Sequence, residues 1–78
     1  MFNYRSIMNM FTDYDLFALS QMRVGNNIAN ARTVNLAIAQ GLFKPKGRSI
    51  EITEDGMYFF DNYLADYIKD LELEYGNV

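Results

Sequence analysis

Seventy-eight residues, half of them hydrophobic, give room for one domain at most and are too apolar for a disordered chain. The chain has no cysteine and no histidine, which excludes a disulfide framework, a thiolate metal site and the usual thiol or imidazole catalysts. Its net charge of −3 is unevenly spread: residues 1–50 carry six cations against two carboxylates, and residues 51–78 carry one cation against eight. That split reads either as a basic working face beside an acidic helix or as acids that merely solvate a surface helix.

The first helix is expected from Asn3, which can cap it, to Phe11, with Tyr4, Ile7, Met8 and Phe11 at helical spacing. Thr12 is a second cap, followed by Asp13 and Asp15 in a first turn that favours negative charge; Asp15 stands where a capping box has Glu. The second helix runs from Asp13 to about Met22 and turns Leu16, Phe17, Ala18 and Leu19 towards the core. Val24-Gly25-Asn26-Asn27 is the turn after it. The third helix is expected from about Asn27 to Gln40. On a helical wheel Ala31, Val34 and Ile38 share the inner side, with Ile28 near its edge. The outer side then holds Ala29, Asn30, Arg32, Thr33, Leu36 and Gln40. Such a face suits a major groove, where Arg reads guanine and Asn or Gln reads adenine. It equally suits plain solvent, and the outward Leu36 argues against both.

Gly41 stops that helix. A strand Leu42-Phe43-Lys44, a basic turn Pro45-Lys46-Gly47-Arg48 and a strand from Ser49 to Ile52 follow. The turn concentrates Lys44, Lys46 and Arg48, cations that contact phosphates in a nucleic-acid binder and otherwise protect a sheet edge. Thr53 caps a last helix of about 22 residues ending near Tyr75. Met57, Phe60, Leu64, Tyr67, Ile68 and Leu71 form its inner stripe, and Tyr58, Phe59, Tyr63, Leu73 and Tyr75 widen the apolar surface beyond it. An apolar surplus of that kind marks a partner surface, unless it covers the first two helices.

The order of helix, Gly41-Leu42, hairpin with a basic turn, then Ile50-Glu51-Ile52-Thr53-Glu54-Asp55-Gly56 and a helix resembles the winged helix-turn-helix family, best over residues 13–60. The resemblance implies one mostly α domain over 1–78 with a small β-hairpin. Residues 3–52 would form the helix-turn-helix and wing on a three-helix core, and 53–75 a long C-terminal helix that commonly dimerises. It implies a small dimeric transcriptional regulator on double-stranded DNA, with Asn30, Arg32, Thr33 and Gln40 at the bases and Lys44, Lys46 and Arg48 at the backbone. Tyr58, Phe59, Tyr63, Leu73 and Tyr75 would form the dimer or partner interface. The alternative is a protein-binding module on the same fold, such as a small acidic virus-encoded inhibitor of host machinery, whose carboxylates from Glu54 to Glu74 meet a basic protein. A third reading is a subunit that only packs within a larger assembly. No run is long enough to span a bilayer and the N-terminus lacks a signal-peptide pattern, so the expectation is a soluble cytoplasmic protein, not an enzyme, with no cofactor.

Overall fold

The computed structural model describes residues 3–76. They form α1 (Tyr4–Met8), α2 (Asp13–Met22), α3 (Ala31–Ala39), strands β1 (Phe43–Lys46) and β2 (Ser49–Ile52), α4 (Glu54–Tyr58), a π-helical turn (Phe59–Tyr63) and α5 (Ala65–Tyr75). The described chain is therefore mostly helical, with one two-stranded antiparallel hairpin. Among the described residues no helix is long and apolar enough to cross a membrane.

Capping side chains set most of the helix starts. Asn3, Thr12, Asn30 and Thr53 each accept a hydrogen bond from the backbone N–H three residues on. At Thr12 the box is complete, because the Asp15 carboxylate also accepts from the Thr12 N–H at 3.3 Å; the shorter acid closes it as Glu would. The first helix is shorter than its apolar spacing suggests. It stops at Met8, because Thr12 must be extended to cap α2 and the chain turns out through Asn9 and Met10 to reach it. Phe11 is buried all the same. The third helix begins at Ala31, not near Asn27. Asn26 bonds back to Gln21 through both backbone and side chain, and Asn30 takes the cap, so the asparagines hold a loop open instead of extending the helix.

Gly41, at φ +80°, closes α3 with a Schellman motif: its N–H donates to Ile38 and that of Leu42 to Ala37, both at 3.0 Å. Leu42 is consequently the fully buried end of this motif and lies outside β1, where the sequence pattern puts it. The strands pair Phe43 with Ile52 through to Lys46 with Ser49 across a two-residue turn, Gly47-Arg48, with Gly47 at φ +60°. Pro45, expected in the turn, pairs with Ile50 within β1. Ladder pairs alternate, so next to the turn-closing pair its missing N–H faces away from β2.

Thr53 joins the two halves. Its hydroxyl donates to the carbonyls of Gly41 (2.6 Å) and Leu42 (3.1 Å) while accepting from the Gly56 N–H (3.0 Å). The helix after it is not one continuous α-helix. Residues Phe59–Tyr63 widen into a π-helical turn, marked by the Leu64 N–H donating five residues back to Phe59 at 2.9 Å, and α5 starts afresh after Leu64. The core joins Leu16, Phe17 and Leu19 of α2 to Ala37, Leu42 and Phe43, and to Phe59, Phe60, Leu64, Ile68 and Leu71 of the last segment. Each large side chain among these contributes about 1.5–3 kcal/mol on burial. Of the expected stripe, Met57 is exposed and Tyr67 half-buried.

Candidate nucleic-acid interface

The face that α3 turns outward is set by what its residues find inside. Thr33 is buried, and its hydroxyl donates to the Asp15 carboxylate at 3.1 Å. Ala37 is fully buried. Leu36 is half-buried and packs on the core cluster, on the side of Met10 and Phe11. Val34 and Ile38 lie only half-buried on the opposite flank. The inner direction is thus rotated by roughly a third of a turn from the one the apolar residues indicate. Ala31, expected inside, is exposed, and so are Arg32, Asn35 and Ala39. Thr33 does not lie on the outer face, and Asn30, although exposed, spends its Oδ1 on the Thr33 N–H at 2.8 Å. Gln40 is half-buried at the C-cap. Asn35, which sequence reasoning passed over, is the exposed amide midway along the helix. A prior pairing of Thr33 with Asp15 would have revealed it, since that pairing turns the wheel.

Alternation along the hairpin puts Lys44, Lys46, Ser49 and Glu51 on one side and Phe43, Pro45, Ile50 and Ile52 on the other. Glu51 lies 3.7 Å from Lys44 and 3.4 Å from Lys46. Both pairs are exposed and worth less than about 1 kcal/mol, so they orient the lysines without removing their charge from solvent. Arg48 occupies the turn. Among the described residues neither Arg32 nor Arg48 lies within ion-pairing distance of a carboxylate, while Arg23 is forked onto Asp61 at 2.6 and 3.0 Å. Arg48, Ser49 and Ile50 close one wall of a groove of about 450 Å³ whose other wall is Met22, Gly25, Asn27, Ala29 and Val34. Among the described residues its lining has no carboxylate. Arg32 stands on the other flank of α3, over a smaller hollow with Thr12 and Asp15. The exposed ridge of α3 thus has one arginine on its far flank and another across the groove.

The residues expected to form an interface separate into three groups. Phe59 is fully buried and belongs to the core. Tyr75 packs on Tyr14 and Phe17, with ring centroids 5.5 and 5.7 Å away, and so covers α2. Tyr58, Tyr63 and Leu73 remain exposed, Leu73 to 72 %. The apolar surplus is smaller than the spacing suggests. The acidic α5 packs against α2 and is tied there by the Tyr67 hydroxyl, which donates to Asp13. That hydrogen bond, followed by burial, raises the Tyr67 pKa. Burial first, then the charges of Glu74 and Asp13, raises that of Tyr75. No protein-family model matches the chain, and no curated protein or solved structure matches it.

Proposed function

We propose that the chain is a small winged-helix DNA-binding protein acting as a transcriptional regulator, with α3 as the helix that enters the major groove and the hairpin as its wing. The observation that carries the reading is the pair of arginines, Arg32 on α3 and Arg48 in the hairpin turn, that have no carboxylate within ion-pairing distance among the described residues and stand on either side of an exposed, small-residue helix ridge. Ala31, Asn35 and Ala39 keep that ridge low enough for close approach to base edges, with Asn35 suited to adenine and Arg32 to guanine. Lys44, Lys46 and Arg48 serve as phosphate contacts. The action is occlusion or recruitment at a promoter, without chemistry. Two copies would double the contact, as is usual for helix-turn-helix proteins, and Leu73 is the exposed apolar residue of α5 left to pair them.

The test is fluorescence anisotropy on random duplex DNA at low salt, then on a selected site. Arg32→Ala should cost about 1–3 kcal/mol at one base position and relax preference there. Lys46→Ala should weaken binding to all sequences alike and reduce the salt slope by about one ion. No binding by the parent protein at low salt would dismiss the reading.

A further inference from the structure

The π-helical turn has a consequence on the protein surface. In an α-helix, residues five apart point in different directions; the wider turn, with its bond from Leu64 to Phe59, brings Tyr58 and Tyr63 round to one side. Tyr4 of α1 lies between them, its ring centroid 5.4 Å from each. Buried Phe59 is the floor, 5.7 Å from Tyr4 and stacked on Tyr63 at 10°. Tyr58 and Tyr63 stay 51 % and 44 % exposed. Asp55, one turn before Tyr58, is also exposed, and its charge reaches the platform: after burial, it is the largest influence raising the Tyr4 pKa. We propose that this tyrosine platform, with Asp55 at its edge, is a docking site for an arginine-bearing segment of another protein.

Charge selects that occupant. Asp55 stands exposed beside the platform and its charge reaches Tyr4, so DNA is repelled there, and a second copy joined two-fold through this face would set Asp55 against Asp55. A guanidinium gains from both features, stacking on a phenol face while its fork takes the carboxylate; a lysine ammonium stacks less well. The molecule already contains the combination once, internally: Arg23 lies 6.0 Å from the Phe60 ring centroid and is forked onto Asp61. Tyr58 and Asp55, three residues apart and both exposed, offer a ring and a carboxylate outward. The inference is independent of the DNA reading, since it uses a different face.

The test is anisotropy of a short fluorescein-labelled Arg-Ser repeat peptide and its Lys-Ser counterpart, with the full chain. The parent should bind the arginine peptide more tightly. Tyr58→Ala, at a half-exposed position, should weaken that binding about fivefold and erase the preference over lysine. Asp55→Asn, which leaves the rings in place, should weaken both peptides. Unchanged arginine preference in Tyr58→Ala would overturn the proposal, leaving only an acidic surface. So would absence of binding to the parent, or a parent dimer that Tyr58→Ala dissolves, which would give the platform to a second copy.

Discussion

Replacing Gly56 by alanine is the sharpest test of how α4 is joined to the hairpin and α3. In an ordinary exposed helix this change stabilises, by about 1 kcal/mol, because alanine is the better helix former. Here a Cβ would overlap the Leu42 carbonyl oxygen, with the Ile52 Cγ1 at 2.8 Å and the Leu42 carbonyl carbon at 2.9 Å. The obstruction is backbone, so it cannot swing aside. Overpacking of this kind costs about 1–3 kcal/mol. The displaced carbonyl also carries two hydrogen bonds, from the Thr53 N–H at 3.0 Å and its hydroxyl at 3.1 Å; weakening them costs about 1 kcal/mol each. Set against the propensity gain, the net loss is about 2–4 kcal/mol, which for a domain of this size lowers Tm by roughly 10–25 °C. Thermal melts by far-UV circular dichroism would measure it, with Asn35→Ala on the exposed ridge as a control that stays level or rises slightly. An unchanged or higher Tm for Gly56→Ala would refute the close approach of α4 to Leu42.

Thr33→Val keeps the shape but removes the hydrogen bond to Asp15; it should cost about 1–2 kcal/mol in urea unfolding while leaving DNA affinity intact, the reverse of a base-reading residue. Tyr67 has a raised pKa when folded, so its contribution is complete below the usual phenol value of about 10 and is lost as pH rises through the folded value. Tyr67→Phe should therefore flatten the alkaline fall of Tm without abolishing it, because Tyr4 and Tyr75 are raised as well. Leu73→Asp should convert a dimer to a monomer in sedimentation at high micromolar concentration; a parent protein that is already monomeric would remove the self-association.

Local chemistry made much of this fold legible. Three of the four capping side chains (Asn3, Thr12 and Thr53), the two ends of α2, the stop at Gly41 and the existence of the hairpin can be read from residues close in sequence, whereas the sequence pattern puts Asn30 inside α3 and it proves to be the cap. What escaped was decided across the chain. The face of α3 follows from a hydroxyl meeting a carboxylate eighteen residues away, and no apolar count includes that bond. Val34 and Ile38 pulled the wheel towards a flank that stays half open, while Ala37, too small to weigh in the pattern, is wholly enclosed. Among the aromatics, spacing could not tell Phe59 in the core from Tyr58 beside it, because from Phe59 on the chain winds with a different period. Of the candidate site, Arg32 and the hairpin cations were where their residue types suggested; Thr33 and Asn30 already had partners, and Asn35 was missed for the same rotated wheel.

The π-helical turn also makes the length of this segment a controlled quantity. At one end α4 is anchored to the hairpin through Thr53; at the other α5 is anchored to α2 through Tyr67 and through Ile68 and Leu71 in the core. A plain α-helix joining the same two anchors would arrive out of phase, and the extra residue held in the wide turn corrects it. Deleting exposed Asn62 would let the segment close as regular α-helix with α4 and α5 still in phase, whereas one further residue inserted beside it would swing everything after it by about 100°. Ile68 and Leu71 would leave the core together and Tyr67 would lose Asp13. An insertion here acts on a dozen side chains at once, where a substitution at the same exposed position acts on one.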